Sequence, residues 1–119
     1  MASLALSVRN KEGICIIDLA GRVTFGEPAA QLREALRREA AENPKVILNM
    51  AQVSFVDSAG LGELVGCYTA MLNRRGSVKL ACLQSRIIDL MRMTRLRDLF
   101  EIYDTEQAAM DSFGIAARS

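Results

Sequence analysis

The chain has 119 residues, half of them hydrophobic, and 15 basic side chains against 14 acidic ones leave a formal net charge of +1. That length predicts one domain over residues 1–119 with enough chain to bury a core, and the hydrophobic share excludes a disordered protein. Charge this balanced does not suit neutralisation of phosphate backbones, so nucleic acid is not an expected partner; with no histidine, Ser-His-Asp and Cys-His catalysis and every histidine-ligated metal site are excluded.

The opening MASLALSVRNKEG lacks a basic n-region and its apolar content stops at Arg9, so it is not expected to be a signal peptide. No apolar run approaches the ~18 residues of a membrane span, and no membrane partner is expected. Leu4, Leu6 and Val8 alternate as in a half-buried strand, RNKEG is a turn signal, and ICIIDLA follows as a more fully buried strand, the two forming a hairpin. RVTFGEP is a loop, with Pro28 in the first turn of a helix that runs to about Ala41. Ala29, Leu32, Ala35, Leu36 and Ala40 share one side of it, and Pro44 closes the segment because the residue before a proline resists helical geometry. KVILNM is a buried strand, extended by Val53 to Val56 toward a helix over residues 59–74 that ends on Arg74, Arg75 and a stop at Gly76.

SVKLACL is the next strand; SRIIDLMRMT places Ile87, Leu90, Met91 and Thr94 at helical spacing; LFEIY is a short last strand. Residues 105–113 make a closing helix with Ala108, Ala109 and Phe113 inward, and the tail GIAARS is expected to fray. Cys15, Cys67 and Cys82 form no CxxC pair and have apolar neighbours, so buried, reduced thiols and a cytoplasmic location are expected. No linker, repeat or low-complexity segment interrupts this order. Strands alternating with helices after a hairpin predict an α/β fold: a mostly parallel mixed sheet of four to five strands, built from right-handed βαβ units and packed with about four helices.

The stretch FVDSAGLGEL stands where a strand hands over to a helix, although glycine inside a helix costs about 1 kcal/mol relative to alanine. Gly60, Gly62 and Gly66 do not form a dinucleotide fingerprint: Val65 occupies the place of its third glycine, and no acidic residue stands ~20 positions on, near Cys82 and Leu83. No GxxxxGK[ST] loop occurs either, and no cofactor is expected. Asp57 and Ser58 are both favoured N-caps. If Asp57 caps, Ser58 takes the first helical position with a free hydroxyl; if Ser58 caps, its oxygen accepts a backbone bond yet stays open to modification. At ~100° per residue, Leu61, Leu64, Val65, Tyr68, Met71 and Leu72 share an arc expected to face the core. Gly62, Gly66, Thr69 and Asn73 fall on a neighbouring arc, which serves either tight packing on the protein's own backbone or a shallow face for a partner.

VDSAGLGEL resembles the signature of STAS domains, the module shared by sulfate transporters and bacterial anti-sigma factor antagonists, and the order of elements matches along nearly the whole chain. The resemblance implies the STAS fold and no enzymatic activity. It implies that Ser58 is phosphorylated by a partner anti-sigma factor that is itself a serine/threonine kinase. Asp57, Ala59, Gly60, Leu61, Gly62, Gly66, Thr69 and Thr24 would form the partner-binding surface, and a phosphatase would reset the switch; apart from the resemblance, a monomer that pairs with another protein is the default expectation. Many antagonists carry an aspartate in a G-x-L-D loop pattern; here GRVTFG puts Val23 and Thr24 at those places. The rival reading is a constitutive scaffold or accessory subunit of a stress-signalling complex or transport ATPase; a nucleotide-binding or weakly hydrolytic protein lacks supporting motifs. Arg86, Arg92, Arg95 and Arg97 form either a solvated helix face or a basic rim near the motif.

Overall fold

A computed structural model describes residues 4–118, with side chains from Leu4 to Phe113. The elements in order are β1 (Leu4–Lys11), β2 (Ile14–Val23), α1 (Glu27–Ala40), β3 (Lys45–Val56), α2 (Ser58–Asn73), β4 (Ser77–Ala81), α3 (Ser85–Met93), a 3-10 turn (Leu96–Asp98), β5 (Ile102–Tyr103) and α4 (Glu106–Arg118). The five strands lie side by side in chain order, β1 antiparallel to β2 and the rest parallel.

That order dictates where the helices go. Each β-helix-β crossover steps one strand further in the same direction, and right-handed crossovers that keep stepping one way place their helices on one face. Accordingly Cys15, Ile17 and Leu19 of β2 join one core with Leu32 and Leu36 of α1, Leu64 and Met71 of α2, and Ile87 and Met91 of α3. The alternate residues Ile14 and Ile16 face the other side, where Ala109, Met110 and Phe113 of α4 cover them. The run ICIIDLA is apolar on both faces because it is covered on both. Lys79 of β4 is buried under α4, its ammonium donating to Glu101 Oε1 at 2.9 Å and to Ser112 Oγ at 2.7 Å.

Several expected boundaries move, each for a local reason. β2 runs on through Arg22 and Val23, beyond the expected start of the loop, because both pair with the end of β3. β4 stops at Ala81 rather than Leu83, since Cys82 turns into the left-handed region at φ 64°. β5 keeps only Ile102 and Tyr103 of the LFEIY strand; the 3-10 turn takes up the chain before it, with Phe100 N–H bonded to Leu96 O. Thr94 is exposed and outside the core set, closing α3 by donating from its hydroxyl to Leu90 O at 2.8 Å. Arg75, not Gly76, takes the left-handed turn after α2. α4 continues as helix to Arg118, past the tail expected to fray, while Ser119 and the first three residues lie outside the described residues. The three cysteines are free, but Cys82 is only half-buried.

Candidate functional site

β2 and β3 are parallel neighbours paired Val23 to Val56 at their last residues, so the loops that follow them emerge together at one end of the sheet. Ligands and partners of open α/β sheets gather at this carboxyl end. The β3–α2 junction is a single residue, Asp57, and it holds both loops. Its N–H donates to Val23 O at 3.2 Å, and its carbonyl accepts from Leu61 N–H at 2.9 Å. Its carboxylate accepts from Gly60 N–H at 2.8 Å through Oδ1 and from Phe25 N–H at 3.0 Å through Oδ2. Asp57 therefore caps α2 with one oxygen and clasps the β2–α1 loop with the other. The N–H groups of Phe25 and then Gly60 hold its carboxyl below the ordinary carboxylate range, so the clasp is ionised at neutral pH.

Of the two capping alternatives, then, Asp57 is the cap and Ser58 is the first residue of α2. Ser58 is exposed, and its hydroxyl is left uncommitted to the helix end. Ala59 and Leu61 are half-buried, and Thr24 is half-buried in the clasped loop, where its carbonyl accepts Ala29 N–H at the start of α1. Gly62, Gly66, Thr69 and Asn73 are all exposed along one line of α2, and a Cβ added at Gly62 or Gly66 would meet no atom within 4 Å. Tight packing is thus not what those two glycines serve.

Gly60, expected on the partner-binding surface, is different. It is buried, and a Cβ there would fall 2.1 Å from Val23 O and 2.9 Å from Val56 Cγ1. Its missing side chain lets the start of α2 sit against the end of β2, which is what brings Asp57 within reach of Phe25. Of the arc expected to face the core, Leu64 and Met71 are buried and Leu61, Val65 and Tyr68 pack half-buried against the core, while Leu72 is 56% exposed; Gly60 and Cys67 complete the buried line of α2.

Two features escaped the sequence reading. Phe25, beside the clasp, is 81% exposed, and Phe55, three residues before Ser58, is 42% exposed with the Arg22 guanidinium 4.9 Å from its ring centre. An aromatic set between Thr24 and Gly26 in a turn was the available signal for the first. Of the four arginines expected as a rim, Arg86 lines a shallow hollow with Phe55, Val56 and Leu90, next to the motif; Arg92, Arg95 and Arg97 line a separate hollow with Asp98. No group of His, Cys, Asp and Glu that could hold a metal ion occurs among the described residues, and no helix among them is long and apolar enough to cross a membrane.

Comparison with known proteins places this geometry. The family model for the STAS domain matches residues 5–109. The anti-sigma-B factor antagonist of Bacillus subtilis (strain 168) is 31% identical over 101 residues, covering 84% of this chain and 91% of that protein. Among solved structures, an anti-sigma factor antagonist from Mycobacterium paratuberculosis superposes with a TM-score of 0.83 at 20% identity, over 98% of this chain and 96% of the other. The Bacillus cell fate determinant SpoIIAA in the phosphorylated form superposes with a TM-score of 0.69 at 20% identity, over 91% and 98%. With its motif, its sheet order and these relatives in agreement, the chain belongs to the STAS domain family, among the anti-sigma factor antagonists.

Proposed function

We propose that this chain is a protein-binding switch controlled at Ser58: unmodified, it binds an anti-sigma factor that is a serine/threonine kinase and so frees a sigma factor, and phosphorylation of Ser58 ends that binding. The observation that carries the reading is the division of labour at the helix start. Asp57 satisfies the amide of Gly60, so Ser58 is exposed with a hydroxyl no cap requires. A kinase supplies base, metal and nucleotide; a substrate has only to present a hydroxyl on a rigid element. The relationship to SpoIIAA, whose structure is of a phosphorylated form, points the same way.

The charge arithmetic supports a switch at the interface rather than within the fold. A phosphoryl group adds about −1.5 to −2 charges at neutral pH. The N-terminus of α2 favours that charge by about 0.3 to 1 kcal/mol, and ionised Asp57 opposes it, so the fold changes little. Across an interface, two like unit charges ~6 Å apart at an effective dielectric of ~20 repel by nearly 3 kcal/mol, which is a hundredfold in affinity. The partner surface lacks the loop carboxylate common in antagonists and presents Phe25 beside the clasp instead.

The test is phosphopeptide mass spectrometry after incubating wild type and Ser58→Ala with host extract and ATP. A single modified peptide spanning Ser58, absent from the variant, is expected; a wild-type protein that stays unmodified is the behaviour of a constitutive scaffold and overturns the reading. Ser58→Asp is expected to bind the kinase about a hundredfold more weakly than wild type.

A further inference from the structure

A cavity of about 220 Å³ lies between α1 and α2, on the flank of the molecule away from the Asp57 clasp. Its inner wall is made by Leu36 and Cys67, both almost fully buried, with Ala40 and Ala70 nearer the mouth. Burial, with the charge of Glu63 adding to it, pushes the Cys67 thiol up to about 12, so this wall carries no charge at neutral pH. Gly66 also lines the cavity, and the absence of its side chain is what leaves the volume open, since nothing lies within 4 Å of the place a Cβ would take.

The mouth is cationic. Arg33, Arg37 and Arg74 line it against one acid, Glu63. Arg33 pairs with Glu63 across the two helices. Arg37 has only Glu34 at 3.1 Å, one turn away with both side chains about 60% exposed, a pairing that water screens almost entirely. Arg74 has no ion pair among the described residues. Two guanidinium groups are thus available above an uncharged, apolar interior.

We propose that this cavity binds a small amphipathic carboxylate, its hydrocarbon body against Leu36, Cys67 and Ala70 and its head group on Arg37 and Arg74. Size selects the class. A cavity of ~150 Å³ holds benzene, so this one suits a body of roughly ten non-hydrogen atoms, the size of a medium-chain fatty acid and well short of a nucleotide. Few atoms limit the affinity, to a Kd on the order of 100 µM.

The test is titration of the full chain with octanoate, followed by amide chemical shifts in a two-dimensional ¹⁵N spectrum. Saturable shifts are expected at Ala40, Gly66, Ala70 and Arg74. Gly66→Leu fills the cavity from an exposed helix position where a Cβ meets nothing, so it folds; it is expected to weaken binding more than tenfold, with an unfolding midpoint at or above wild type as the check on folding. Arg74→Glu is expected to weaken octanoate severalfold, and neutral octanol to bind more weakly than octanoate. Shifts that fail to saturate at several times the expected Kd, unchanged binding in Gly66→Leu, or equal affinity for octanol would each overturn the proposal.

Discussion

Replacing Gly60 by alanine sets helix propensity against packing, and the structure says which wins. In an isolated helix the change gains about 1 kcal/mol. Here the new Cβ would stand 2.1 Å from Val23 O, where a carbon and a carbonyl oxygen ordinarily stay about 3.3 Å apart. The start of α2 must then retreat by more than about 1 Å. Val23 O is also the acceptor of Asp57 N–H, already at 3.2 Å, so the retreat breaks that bond. Overpacking costs up to about 3 kcal/mol and the lost bond about 1 kcal/mol; less the propensity gain, Gly60→Ala is expected to destabilise by about 3 kcal/mol. For a domain of this size that lowers the melting midpoint by roughly 10 °C. Gly62→Ala is the matched control: it stands two residues on, exposed, with no atom within 4 Å of its Cβ, and is expected to gain up to about 1 kcal/mol. Both are read by urea unfolding followed by circular dichroism. A Gly60→Ala protein within about 0.5 kcal/mol of wild type, or a Gly62→Ala protein less stable than wild type, refutes the packing argument.

Phe25→Ala removes an exposed ring and leaves its backbone clasp intact, so the unfolding midpoint should not move, while affinity for the kinase proposed above should fall tenfold or more, measured by calorimetry. Acid should weaken the fold through Asp57. Its folded pKa lies below the unfolded value of about 3.9, so its contribution is fully present above that pH and is lost as pH falls through the folded value. Glu106, held down chiefly by Arg9, and Glu101, held down chiefly by Lys79, act with the same sign. The stability difference between wild type and Asp57→Asn should therefore shrink as pH is lowered from about 7 to 3; a difference constant across that range would remove Asp57 from the acid transition.

The fold was largely legible because its signals are local. The hairpin followed from an alternating run, a glycine turn and a second apolar run; the parallel sheet followed from strands alternating with helices. The capping position narrowed to Asp57 or Ser58 for the same reason, since caps are chosen by short-range chemistry. Misreadings arose where a residue's environment is set by something distant in sequence. Hydropathy gave Leu72 to the core of α2 and left Gly60 out, because no hydropathy scale registers that a glycine can be buried by the close approach of a backbone 37 residues earlier, at Val23. LFEIY has strand propensity along its length, yet β5 keeps only Ile102 and Tyr103, opposite Leu80 and Ala81, because the 3-10 turn at Leu96–Asp98 takes up the chain before it and binds Phe100 N–H to Leu96 O.

The amino-acid order alone determined the elements, the family motif and a serine at the head of a helix, since each depends on neighbours within a few positions. Only the tertiary structure decided that Asp57 is the cap, that Phe25 is tied to it with its ring exposed, and that Gly60 is packed while Gly62 and Gly66 stand open. Those outcomes depend on β2 and β3 ending side by side. That pairing joins Val23 to Val56, and local sequence chemistry does not encode the distance between them.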